Sequence, residues 1–205
     1  MSKSGKSNSV RIISGNWRGR RLAVADVPGL RPSGDRCRET LFNWLQPRLR
    51  GARCVDLFAG SGALGLEAAS RGAARVVLVE QAAVAARTLT ESVGLLLGGD
   101  VEGVARVEVV RGDALRWLQE CAPASIDIAF VDPPFGSDLA DRTLRLLQKR
   151  GLMAPEGLVY LETARQSPAP SLPPGWTVRR EKTLGEVRMQ LFACPAGPKP
   201  SESSG

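Results

Sequence analysis

The sequence predicts an α/β fold: one mostly parallel sheet with helices on both faces, closed by an antiparallel C-terminal hairpin and preceded by a small basic hairpin arm. Three observations predict it. From residue 54 onward, short continuous apolar runs alternate with helical patterns, as expected of parallel strands buried on both faces. The first of these runs ends in a glycine-rich turn that leads straight into a helix-forming stretch. Positive charge is concentrated at one end, with eleven Lys/Arg against three acids in residues 1–50 and seventeen against eighteen in the remainder.

Taken in order, residues 1–8 are Ser, Lys, Gly and Asn after the initial Met and are expected to be disordered. Residues 10–13 and 21–24 read as two short strands joined by the turn-rich Ser14-Gly15-Asn16-Trp17-Arg18-Gly19. Arg31-Pro32-Ser33-Gly34 punctuates before a helix over 35–46, whose Leu41, Trp44 and Leu45 share one face. Apolar strands follow at 54–58, 76–79, 107–110, 126–131 and 158–161, with helices between them at 63–71, 82–97, 114–121 and 139–150. Gly98-Gly99-Asp100 and the proline-rich stretch 168–174 are the looser connections. The hairpin is expected at 176–184 and 187–194 around Gly185-Glu186, with Val187, Met189, Leu191 and Ala193 turned inward. The tail 195–205 is Pro, Ser and Gly with little else and reads as disordered. Functionally, 9–50 forms a basic arm and helix, and 51–194 one larger domain.

Composition excludes several classes of chemistry. The chain has 205 residues and no histidine, so mechanisms built on an imidazole base or ligand are out. Cys37, Cys54, Cys121 and Cys194 are widely spaced with no C-x-x-C pair, which suggests neither zinc nor a disulfide framework. No run reaches the ~20 apolar residues of a membrane span, and the N-terminus lacks a signal peptide's apolar core. A cytosolic monomer without metal is the expectation. The localised basic segment on a near-neutral body is the footprint of phosphate binding. Its candidate contacts are Arg11, Arg18, Arg20, Arg31, Arg36 and Arg38. Trp17, among these arginines, could stack on a base or anchor the arm to the core.

Two motifs carry the chemistry. Val55-Asp56-Leu57-Phe58-Ala59-Gly60-Ser61-Gly62-Ala63-Leu64-Gly65 spells strand, tight turn, helix, a turn through which backbone can approach a ligand closely. Its glycines also fit G-x-G-x-x-G, and Glu80 ends the next run twenty residues past Gly60, where a dinucleotide fold places its ribose-binding acid. The second motif, Asp132-Pro133-Pro134-Phe135, closes a later strand. Asp56, Glu80, Asp113 and Asp132 thus all fall at carboxyl ends of strands, where open α/β sheets bind ligands.

Asp56-x-Phe58-x-Gly60-x-Gly62 with Asp-Pro-Pro-Phe resembles the S-adenosylmethionine-dependent methyltransferases that modify exocyclic amino groups. Together with Arg11 to Arg20, Arg31-Pro32 and Asp35 to Leu45, the chain from about Val10 to Cys194 is similar to the bacterial 16S ribosomal RNA (guanine-N2)-methyltransferase family. The resemblance implies the Rossmann-like seven-stranded methyltransferase sheet, S-adenosylmethionine as cofactor and 16S rRNA as partner. It implies that the Gly60–Gly62 turn packs on the methionine moiety, that Glu80 accepts both ribose hydroxyls, and that Asp113 with Ala114 addresses the adenine. Asp113 equally suits a helix N-cap. In the second motif, the Asp132 carboxylate and the Pro133 carbonyl would accept the two N–H bonds of a base amine, with Phe135 stacked on the base. The prolines hold that carbonyl rigidly, since their φ is fixed.

Other readings remain open on the residues alone. An oxidoreductase could use the glycine turn but has no use for Asp-Pro-Pro-Phe. An adenine-N6 methyltransferase shares that motif yet normally carries a target-recognition domain, for which nothing after Leu161 is large enough. A protein-glutamine methyltransferase typically has Asn where this chain has Asp132. A non-enzymatic RNA-binding assembly factor would not need Asp132 at all.

Overall fold

The computed structural model describes residues 9–27, 34–98 and 105–195. Expectations for 1–8, for Arg31 to Ser33, for Gly99-Asp100 and for 196–205 lie outside these. The elements are β1 (Ser9–Arg11), β2 (Arg21–Ala23), α1 (Asp35–Leu49), β3 (Arg53–Asp56), α2 (Ala63–Ser70), β4 (Arg75–Glu80), α3 (Ala83–Leu97), β5 (Arg106–Arg111), α4 (Ala114–Glu120), β6 (Ile126–Val131), α5 (Leu139–Lys149), β7 (Met153–Ala164), β8 (Thr177–Leu184) and β9 (Val187–Ala193). β1 and β2 form an antiparallel pair, and the other seven strands form one sheet in the order β5-β4-β3-β6-β7-β9-β8. Pairing is parallel from β5 to β7 and antiparallel on both sides of β9. The order runs outward from β3 in both directions, so the topological switch lies between β3 and β6. No helix among the described residues is long and apolar enough to cross a membrane.

Both faces of the sheet are covered because its central strands put apolar side chains on both sides, as with Cys54 and Val55 of β3 and Ile128, Ala129, Phe130 and Val131 of β6, all buried. One core joins Phe130 and Tyr160 of the sheet to Leu41, Phe42 and Leu45 of α1, Leu66 of α2 and Leu89 of α3. The other joins Val77, Val131 and Val159 to Leu118 of α4 and Leu144 of α5. The basic arm is not separate from this body: Ile12, Trp17 and Leu22 are members of the first core.

Several spans differ from expectation for physical reasons. α1 runs on through Pro47 to Leu49; burial of Leu49 outweighs the backbone hydrogen bond that proline removes. The 158–161 run is the middle of a longer β7, which reaches β6 through a register shift near Glu156, itself at φ 58°. β9 has no solvated face. Met189, Leu191 and Ala193 do lie together in the first core, but Gln190 and Phe192 are buried on the other side because β9 is interior, between β7 and β8.

Candidate active site

The two motifs stand on neighbouring strands. Asp56 is in register with Phe130, and the Leu57 N–H donates to the Phe130 carbonyl at 3.1 Å. Asp132 follows two residues on, half-buried and on the same face as Phe130 and Tyr160. The turn after Pro134 is closed by Ser137 Oγ, which donates to the Pro134 carbonyl at 2.7 Å, and by Gly136 at φ 78°. Phe135 is thrown outward and is 55% exposed, so its ring is open to a stacking partner.

The glycine turn divides its labour. Gly60, at φ 54°, borders the opening and donates its N–H to Glu80 Oε2 at 2.8 Å. Gly62, at φ 77°, caps α2 from inside the protein, where a Cβ would lie 2.5 Å from Leu89 Cδ1. A Cβ on Gly65 would run into Leu78, so this glycine lets α2 sit close on the sheet. Gly62 therefore shapes the turn without offering ligand a side. Asp56 is buried too, and its Oδ2 braces the turn by accepting the Gly65 N–H at 3.0 Å. Burial pushes its carboxyl up to about 7, against the pull of the Gly65 and Phe58 amides and with a smaller push from Glu80. Its Oδ1 has no partner of hydrogen-bonding geometry. Phe58 is half-buried at the mouth of the turn.

Glu80 is oriented by backbone on both oxygens, accepting Gly60 N–H on Oε2 and Ala82 N–H on Oε1 at 2.7 Å. A lone pair remains on each oxygen for a further donor. Asp113 is the N-cap of α4, its Oδ1 accepting Arg116 N–H at 2.8 Å, and its neighbour Ala114 is buried. Gly112 N–H donates to the Glu80 carbonyl at 3.0 Å, so the Asp113 turn is fixed against the end of β4.

Residues that periodicity did not single out wall the Asp132 side. Tyr160 donates its hydroxyl to Glu162 Oε2 at 2.7 Å, both residues being buried. The phenol is held protonated well above its ordinary range by burial first, then by the Glu162 and Asp132 charges. Cys37, at the start of α1, is likewise raised by burial, then by Glu162 and Asp132. The only sequence signal for this wall was a tyrosine and an acid two apart at the end of an apolar strand.

The proposed RNA contacts separate into groups. Arg38 is 0% exposed, with Nη2 2.7 Å from Asp35 Oδ1 and Nη1 3.6 Å from Glu67 Oε2, and it donates to the Arg11 carbonyl at 2.9 Å. It is a core ion pair and cannot reach RNA. Trp17 is 4% exposed and its ring belongs to the core, so it anchors the arm and does not stack on a base. Arg11, Arg18, Arg20 and Arg36 are exposed, and Arg31 lies outside the described residues. Arg11 is 3.9 Å from Asp35. Arg20 donates to the Leu95 carbonyl at 3.0 Å, and the Asn16 N–H to that of Ser70 at 2.8 Å. Leu95 and Ser70 are at the far ends of α3 and α2, roughly 18 and 12 Å along the helices from their starts at the carboxyl edge. The tip arginines Arg18 and Arg20 thus sit toward the edge opposite Asp132, while Arg36 sits near it.

Whether this site suits S-adenosylmethionine is a matter of donor and acceptor chemistry. A backbone turn free of side chains at Gly60, a carboxylate with two spare lone pairs at Glu80 and an unpartnered buried oxygen on Asp56 suit its amino-acid and ribose ends. Glycine turn and Asp-Pro-Pro-Phe, side by side at the switch point of a seven-stranded sheet with this strand order, define an S-adenosylmethionine-dependent methyltransferase. Residues 10–193 match the family described as conserved hypothetical protein 95, and the chain belongs to that family. It is 44% identical to ribosomal RNA small subunit methyltransferase D of Escherichia coli K12 over 91% of this chain and 90% of that one. Among solved structures, the putative methyltransferase yhhF from Escherichia coli superposes with a TM-score of 0.80 at 42% identity, covering 93% of this chain and 100% of its own. The Thermus thermophilus 16S rRNA N2 G1207 methyltransferase RsmC, in complex with AdoMet and guanosine, shares the fold at TM-score 0.63 and 23% identity, over 93% of this chain and 50% of that one.

Proposed function

We propose that the chain transfers a methyl group from S-adenosylmethionine to the exocyclic N2 of one guanine in 16S rRNA, displayed by the assembled or assembling small ribosomal subunit. The observation that supports this reading is the register of Asp56 with Phe130, which sets Asp-Pro-Pro-Phe one strand from the glycine turn. The identity to a small-subunit rRNA methyltransferase over nine-tenths of both chains supports the substrate class.

The bound cofactor supplies an electrophilic sulfonium methyl. The chain's own part is orientation. Glu80 would receive the ribose hydroxyls on its remaining lone pairs, and Asp113 with Ala114 would face the adenine. The amine of guanine is a poor nucleophile, its lone pair being delocalised into the ring. Asp132 and the Pro133 carbonyl accept its two N–H bonds and aim that lone pair, while Phe135 stacks on the base. With the cofactor bound, N2 held this way would take the methyl as the S–C bond breaks, and Asp132 would be placed to receive the N2 proton. Orientation of this kind can be worth an effective molarity of about 10⁵ M or more. One chain contains both motifs, so a monomer suffices.

Labelled methyl transfer to small subunits from a strain lacking this gene, with nuclease mapping of the product, tests the reading. A single N2-methylguanine in 16S RNA is expected, with deproteinised 16S RNA the poorer substrate. Methyl transfer to DNA or protein instead would overturn it.

A further inference from the structure

Although the body of the chain is nearly neutral, residues 165–193 hold five cations against Glu181 and Glu186 only. The cations lie on β8, on β9 and in the turn after β7, and three of them line up with the active site. Lys182 pairs with Met189, and Met189 with Glu162. Leu161, just before Glu162, pairs with Val131, just before Asp132. Glu162, Met189 and Lys182 therefore form one row across three adjacent strands, in line with Asp132 just past the end of β6, and Lys182 is about three strand spacings, roughly 14 Å, from Asp132. Arg180 pairs with Leu191 and Leu191 with Tyr160, which puts it one row back on the same face. Arg165 stands at the carboxyl edge itself, its N–H bonded to the Glu186 carbonyl at 2.7 Å.

These charges are presented, not neutralised. β8 is an edge strand exposed along nearly its whole length. Glu181 points to the other face, where it accepts from Gln190 at 2.8 Å. Arg188 is used structurally, donating to the Ser167 and Arg165 carbonyls at 3.0 and 2.8 Å and so fixing the turn that carries Arg165. Among the described residues, Arg165, Arg180 and Lys182 are in no ion pair. Cations on an edge strand also deter pairing with other chains. That function does not require Arg165, which is off the strand, nor a place on the row of Asp132.

We propose that the β8–β9 hairpin with Arg165 is a second RNA-backbone contact, holding phosphates that flank the target base. It lies on the β7 side of Asp132, whereas the N-terminal hairpin packs on α2 and α3 at the opposite flank. On this reading the hairpin grips backbone at the edge where Asp132 and Arg36 lie, while Arg18 and Arg20 of the N-terminal hairpin meet RNA farther off, toward the other edge. This inference rests on the rRNA reading above and extends it to a second surface.

The test is binding of the full chain to small subunits as a function of KCl, for the wild type, for Arg165→Gln/Arg180→Gln/Lys182→Gln, and for Lys182→Gln alone. Each lost contact is expected to flatten the log–log slope by about 0.9 on duplex RNA or ~0.7 on single strands. The triple variant should raise the KM for subunits with little change in kcat, and its affinity for S-adenosylmethionine should match the wild type. Lys182→Gln, at an exposed position, reads the same slope should the triple variant fold poorly. Wild-type methylation of subunits with an unchanged slope in the variants would overturn the hairpin contact alone. A wild-type chain that neither binds nor methylates subunits would overturn the rRNA reading and this inference with it.

Discussion

Arg38 and Glu67 meet 3.6 Å apart with both side chains closed to solvent. The Glu67 carboxylate also accepts the N–H groups of Ile13 at 2.7 Å and Ser14 at 3.0 Å, and pairs with Arg71 Nε at 2.7 Å. One carboxylate thereby joins the N-terminal hairpin, α1 and α2. Removing it strands a buried guanidinium and two amides. Glu67→Ala should cost about 3–5 kcal/mol in urea denaturation, and Glu67→Gln less, since one acceptor oxygen stays. A loss under about 1 kcal/mol for Glu67→Ala would mean that water enters the site.

Asp56 predicts a pH dependence of stability. Its ordinary value is 3.8 and the folded chain raises it to about 7. Between those values the folded state keeps a proton that the unfolded state has released. Stability contributed by this group therefore falls as pH rises from about 4 to 7, then levels off, by at most about 4 kcal/mol. Asp56→Asn should remove that slope when denaturation midpoints are compared at pH 4.5 and 7.5. Parallel curves for the two proteins would refute the assignment.

Asp132→Asn keeps the shape of the side chain but replaces one acceptor oxygen with an amide donor. Single-turnover methyl transfer should slow by about 10²-fold or more, the scale set by misorientation at a reacting centre. Calorimetric affinity for S-adenosylmethionine should stay within about threefold. A variant with wild-type turnover would send the amine-orienting role elsewhere.

Trp17 and Arg18 are neighbours with opposite expectations. Trp17→Ala empties a core position and should cost about 3–5 kcal/mol of stability. Arg18→Ala, at an exposed position, should leave the denaturation midpoint alone and flatten the salt dependence of subunit binding by about 0.7 to 0.9. The reverse pattern would place Trp17 on the RNA.

Much of this was legible in the chain because its signals are local. Each parallel strand is a continuous apolar run, each crossover helix is bounded by turn residues, and both motifs are contiguous, so the order of elements and the acids at the strand ends could be read directly. What escaped depends on contacts between distant segments. Arg38 looks like any helix arginine until Glu67, twenty-nine positions on, is packed against it. Glu67 itself left one trace, an acid amid Leu66, Ala68 and Ala69 on a helix with no polar side. Trp17 was undecided because composition says nothing of which way a ring turns. The Tyr160–Glu162 wall and the row from Asp132 to Lys182 exist only once strand register is fixed, and register is a property of pairs of strands.

α2 has eight residues, every one of them buried. Its first turn is fitted to the glycines at one end, and Ser70 at the other accepts Trp17 N–H on Oγ at 2.9 Å. The helix is therefore a spacer of set length. A single residue inserted after Leu66 would rotate all that follows by about 100° and advance it ~1.5 Å, carrying Glu67 and Ser70 away from the hairpin while Gly65 stayed in place. Substitution can vary the chemistry along this helix, but gaps in it should be absent from functional descendants, and a library of one-residue insertions should recover none that fold.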